Sequence, residues 1–183
     1  HIDRVARLLS ISQDKAFVRL AYSVVAGQSI HNFSDSDLVE GGQDKQIDVF
    51  AIHEEADRAT VYLLQAKNTD SFSSNALIQM RNGLNWIFNK PRTDVKTLAN
   101  KSFQDKIFEY RAIQSGLGPS NIRIIAAFVT TGVTSEMSDE FKQELKTICD
   151  EYDNGTFAEF KIDALGADEL VALLNAYDKR TKS

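Results

Sequence analysis

Ile47-Asp48-Val49-Phe50-Ala51-Ile52-His53 and Thr60-Val61-Tyr62-Leu63-Leu64-Gln65-Ala66 are two runs rich in Val, Ile, Leu and Tyr. The polar stretch Glu54-Glu55-Ala56-Asp57-Arg58 separates them. β-branched and aromatic residues fit a pleated surface, so the pair reads as two antiparallel strands joined by a short loop. Upstream, residues 31–46 are polar, contain Gly41-Gly42 and read as loop. Before that loop, Phe17, Leu20, Ala21 and Val24 follow helical spacing, with Ser12 as N-cap and Gly27 at the C-terminal end. Ile2, Val5, Leu8 and Leu9 mark a short amphipathic helix at the start.

Downstream, Leu77, Met80, Leu84, Ile87 and Phe88 mark a helix that Pro91 ends. Val95, Leu98, Phe103, Ile107 and Phe108 mark further helix, stopped by Gly116-Leu117-Gly118-Pro119. Ile122 to Val129 is apolar apart from Arg123, which predicts a strand covered on both faces. A helix follows through Met137, Phe141, Leu145, Ile148 and Tyr152. Asn154-Gly155 turns into a strand over Thr156 to Ile162, and Leu170, Val171 and Leu174 mark a last helix. This order predicts an α/β architecture, a mixed central sheet flanked by helices, as one domain over residues 1–183.

The composition is that of an ordinary soluble globular chain, with 43% hydrophobic and 26% charged residues. One cysteine, Cys149, excludes an internal disulfide and a multi-cysteine zinc site. No apolar run approaches the roughly 18 residues of a membrane span, and no membrane partner is expected. His1-Ile2-Asp3-Arg4 carries no signal-peptide pattern, so a cytoplasmic location is expected. There is no P-loop, no G-x-G-x-x-G and no G-x-S-x-G elbow. His31 and His53 lack metal-ligand spacing. The net charge of -5 argues against a general nucleic-acid binder.

That charge is segregated. Residues 81–111 carry seven basic against three acidic side chains, a net +4, and residues 136–153 carry two against seven, a net -5. The basic segment is a candidate for phosphate contacts or simply a solvated helical face. On the strands, Asp48, Gln65 and Lys67 stand among apolar neighbours, where charges are rare unless paired or useful. Gln65 and Lys67 are two apart and so are expected on one face. A cross-strand ion pair between Asp48 and Lys67 accounts for these residues without any chemistry.

Gly41-Gly42-Gln43-Asp44-Lys45-Gln46-Ile47-Asp48, followed by Leu63-Leu64-Gln65-Ala66-Lys67, resembles the PD-(D/E)xK nuclease superfamily in its Q-x-K branch. Within it the chain looks most like Mrr-like restriction endonucleases and the N-terminal domain of abortive-infection phage-resistance (AIPR) proteins. Those families carry "G-x-D-x-x-I-D", a hairpin, and an apolar strand ending in "Q-x-K". The resemblance implies a restriction-endonuclease-like mixed sheet and a Mg²⁺-dependent nuclease (Mn²⁺ as the alternative ion) that cuts DNA in restriction or phage defence. It implies Asp48, Gln65 and the Ala66 backbone carbonyl as metal ligands, and Lys67 beside the attacking water. Gln65 stands where the acidic form of the motif has Asp or Glu, which weakens the metal site and leaves room for a further acid. Asp14 is the first choice and Asp44 the second, the latter on the nucleic-acid face with Gln79 and Arg81. Asp14 also suits a helix N-terminus, Asp44 a turn, and Gln79 an exposed helix face. The resemblance further implies a chain that continues into C-terminal domains, and dimerisation as in many members. Two other readings stay open: a nuclease fold without catalysis that binds nucleic acid or protein, and an unrelated α/β interaction domain.

Overall fold

The computed structural model describes residues 1–32, 34–39 and 47–182, so Asp44 lies outside the described residues. In chain order the elements are α1 (Ile2–Leu9), α2 (Gln13–Ala26), β1 (Val49–Glu54), β2 (Ala59–Ala66), α3 (Ser74–Phe88), α4 (Arg92–Val95), α5 (Lys101–Leu117), β3 (Ile122–Val129), α6 (Asp139–Tyr152), β4 (Glu159–Leu165) and α7 (Ala167–Lys182). The four strands form one sheet in the order β1-β2-β3-β4. β1 pairs antiparallel with β2, while β3 is parallel to both β2 and β4. The fold is thus a mixed α/β sheet flanked by helices.

The side chains of the sheet alternate between two cores. Leu77, Met80 and Leu84 of α3, Phe103 and Ile107 of α5, and Phe141 and Ile148 of α6 cover one face, against Phe50, Leu63, Ile124 and Phe128. Phe17, Val18, Ala21 and Tyr22 of α2 cover the other, against Val49, Leu64, Ala127 and Val129. Each fully buried Leu or Phe contributes roughly 1.5–3 kcal/mol. Both parallel crossovers, β2 to β3 and β3 to β4, therefore pass over the same face. β3 is buried on both sides because it lies inside the sheet and between the two helical layers. No described helix is long and apolar enough to cross a membrane.

Several boundaries differ from the sequence reading, three of them with a local cause. The apolar spacing from Val95 to Phe108 is split between α4 and α5, because Asn100 caps a new helix by accepting from the Phe103 N–H at 3.1 Å. β4 begins at Glu159 rather than Thr156, since the Asn154 side chain accepts from Thr156 and Gly155 sits at φ 86°, which keeps these residues in a turn. β1 begins at Val49 rather than Ile47, for a reason that shapes the site.

Candidate active site

Ile47 and Phe50 pack into one core, while Val49 and Ala51 pack into the other. Strict alternation would separate Ile47 from Phe50, so one extra residue enters the strand at Asp48. Val49 is the partner of Leu64, and the Asp48 N–H also donates to the Leu64 carbonyl at 2.8 Å. Two residues thus address one, the signature of a β-bulge, and bulges re-aim side chains. Asp48 Oδ2 accepts the Ala66 N–H at 2.9 Å. The carboxylate takes the place of a backbone carbonyl at the end of β2. A hydrogen bond to a charged acceptor contributes about 1.5–3 kcal/mol.

The end of β2 is held from the other side as well. The Lys67 N–H donates to the Val129 carbonyl at 2.9 Å, and the Thr131 N–H donates to the Thr69 carbonyl at 2.8 Å. A Cβ at Gly132 would collide with the Asp70 carbonyl oxygen, and one at Gly166 with the Gly132 carbonyl oxygen. Only glycine allows the loops after β2, β3 and β4 to stack this closely over the sheet. Lys67 therefore projects from a braced loop at the carboxyl ends of the parallel strands, where α/β sheets commonly bind ligands.

α2 supplies the third component. The Ser12 hydroxyl accepts from the Lys15 N–H at 3.2 Å, and the Ser12 carbonyl accepts from Ala16 at 2.9 Å. This cap starts the helix so that Val18 packs on the sheet while Asp14 and Lys15 stay exposed. An acid in the first turn also suits the helix dipole. Asp14, Lys15 and Val18 then border a cleft of about 610 Å³ together with Ser12, Asp48, Ala66, Lys67, Asn68 and Thr69.

Asp14, Asp48 and Lys67, widely separated in sequence, thus line one cleft. Gln65 does not line it. The side chain is 1% exposed, because both faces of β2 are covered over its last four residues. Gln65 is thus buried within β2, and Lys67 is exposed just past its end. Ala66 borders the cleft, as expected for a backbone ligand. The alternative of an Asp48–Lys67 ion pair is not found, for Lys67 forms no ion pair among the described residues. Lys15, Asn68 and Thr69 were not singled out in the sequence. Their only signal is adjacency to Asp14 and Lys67.

Of the expected nucleic-acid contacts, Gln79 and Arg81 lie outside the cleft lining. Gln79 is half-buried on α3. Arg81 is held by acids of α6, with Nε 3.0 Å from Glu151 and Nη1 3.7 Å from Glu144. Other cations of the basic segment are also committed. Lys106 is buried and bonds Asp37 at 2.9 Å and Glu109 at 3.3 Å. Arg111 donates to the carbonyls of Ile87 and Trp86, and Arg92 stacks 4.5 Å from the centre of the Phe108 ring.

His53 stands at the far end of β1, where its Nε2 lies 2.8 Å from the buried Tyr22 hydroxyl and its ring packs on Tyr62. Burial holds the imidazole below its ordinary pKa, against the nearby charge of Asp37, and pushes the Tyr22 phenol up.

Among the described residues, no group of three or more His, Cys, Asp or Glu side chains is gathered. The cleft instead offers the carboxylates of Asp14 and Asp48 with backbone oxygen nearby. This donor set suits a hard divalent cation that keeps several waters, and lacks the nitrogen and sulfur ligands zinc prefers. Beside the cleft, between α2 and α7, a groove of about 480 Å³ is lined largely by aliphatic side chains such as Leu20, Leu170 and Leu174. Compared with known proteins, the chain matches no protein-family model and no curated protein.

Proposed function

We propose that this chain is a metal-dependent nuclease domain that hydrolyses DNA phosphodiesters, in the manner of the restriction and phage-defence nucleases its Q-x-K segment resembles. One observation carries the reading: Asp14, Asp48 and Lys67, from a helix, a bulged strand start and a braced loop, line the same cleft. Asp48 and Asp14 would hold Mg²⁺ or Mn²⁺, with the Ala66 carbonyl available as a third oxygen. When bound, such an ion polarises the phosphate and acidifies a water. The bulge and the Ala66 hydrogen bond keep the Asp48 carboxylate in a single orientation. Lys67 places its ammonium against the non-bridging oxygens, where charge grows as water attacks phosphorus. The bond from phosphorus to the water oxygen forms as that water gives up a proton to solvent, the bond to one sugar oxygen breaks, and that oxygen takes up a proton from solvent. Two carboxylates give a weaker site than three, so millimolar metal is needed.

The test is cleavage of duplex DNA with Mg²⁺ by the parent, Asp48→Asn and Lys67→Ala. The parent should cut and both variants should not; variants as active as the parent would remove the reading. A second reading is a non-catalytic module of the same fold that binds nucleic acid or protein. It is favoured by the exclusion of Gln65 from the cleft. Calorimetric titration separates the two, since absence of Mg²⁺ and Mn²⁺ binding at millimolar concentration would leave only the second.

A further inference from the structure

We propose that Lys15 is a second phosphate-binding cation of this cleft, gripping the phosphodiester from the α2 side while Lys67 meets it from the loop after β2. The inference rests on the nuclease reading and adds a residue that the Q-x-K pattern does not contain. Lys15 and Lys67 line the same cleft, and neither forms an ion pair among the described residues. Lys15 is exposed, yet its backbone is anchored by the Ser12 cap, so its root is fixed while its ammonium is available. Elsewhere the described cations are often consumed by protein partners, as with Arg81, Lys106, Arg123 and Lys146.

Charge balance supports two lysines rather than one. Among the described residues, the charged side chains of the cleft are Asp14, Asp48, Lys15 and Lys67, which cancel. A divalent ion brings the cleft to a net charge of plus two. The pentacoordinate phosphate of the transition state carries two negative charges, against one in the ground state. With both lysines the site neutralises the transition state; with Lys67 alone it falls one charge short. Lys15 therefore acts on binding and more strongly on the transition state.

The test is binding of a labelled DNA duplex and of its single strands in Ca²⁺, which supports binding without turnover, across a salt series. Lys15→Ala should weaken affinity several-fold at moderate salt and reduce the slope of log K against log salt by about 1. Lys15→Arg should restore most of the affinity. Calorimetric Ca²⁺ affinity should be unchanged or tighter in Lys15→Ala, since the side chain is a cation and no metal ligand. An unchanged DNA affinity and salt slope in Lys15→Ala would overturn the inference. If the parent still cuts DNA in an Asp48-dependent way in that case, the nuclease reading survives without it. If the parent neither binds nor cuts any DNA, both fall together.

Discussion

Lys67 and Arg81 are both cations near the middle of the chain, and the fold treats them in opposite ways. Arg81 leaves α3 toward α6 and is met there by Glu144 and Glu151. Lys67 leaves the end of β2 into a cleft that also contains Asp14, Asp48 and Lys15, and forms no ion pair among the described residues. The basic segment of α3 to α5 and the acidic helix α6 looked in the sequence like separate surfaces. Arg81 ties them together, so part of that charge is spent on packing. The charge of Lys67 instead stands where α2, the start of β1 and the loop after β2 converge. The lesson is that a run of like charges says little about binding until the partners of each side chain are known.

This contrast predicts that cleft variants change activity with little effect on stability, and that variants of the paired charges do the reverse. The largest effect is expected for Asp48→Asn. It keeps an oxygen for the Ala66 N–H but loses the charge, so cleavage should fall by about 1,000-fold while thermal stability changes little. Asp48→Ala should lose the hydrogen bond as well and unfold more easily by about 1.5 kcal/mol in a denaturant titration. Lys106→Ala is the counterpart on the paired side. It strands Asp37 at a largely buried site and should cost about 3 kcal/mol of stability, with activity per folded molecule unchanged.

Lys67→Ala should lower cleavage by about 100-fold and move the melting temperature hardly at all, because the side chain is exposed. A loss of stability instead would mean that Lys67 is structural. The His53–Tyr22 pair gives a smaller, pH-dependent effect. The folded pKa of His53 is lowered, so below its ordinary value of 6.5 the unfolded chain takes up a proton that the native state resists. Stability should be complete above that value and decline as pH falls through the folded pKa, and His53→Gln should flatten that slope in a series of denaturant titrations. Arg81→Ala should have the smallest effect. Its side chain is 38% exposed, so the ion pairs contribute below about 1 kcal/mol, and DNA affinity should not change. A clear loss of DNA affinity in that variant would break the comparison.

Much of the architecture was legible because it follows from local rules. Ser12 and Gly27 bound α2, Gly118 ends α5, and the apolar run Ile122–Val129 could be satisfied only inside a sheet with two covered faces. Asp48 and Lys67 were legible as charges among apolar strand residues, and Asp14 through the resemblance. The burial of Gln65 was not legible, because period two gives the face of a strand residue and not whether that face is covered. Lys15 was overlooked because a lysine on a helix is ordinary until something stands opposite it.

The sequence by itself determined the element order, the mixed α/β class and the residue types available for chemistry, since caps, periodicity and turn residues act over a few positions. Only the tertiary structure decided which of those residues meet. The bulge at Asp48, the stacking of loops at Gly132 and Gly166, and the pairing of Arg81 with α6 each depend on contacts between distant segments. Spacing along one strand or helix does not encode such contacts. They are set by how the two helical layers close over the sheet, and that closure determines whether a charge is neutralised inside the protein or left to face a ligand.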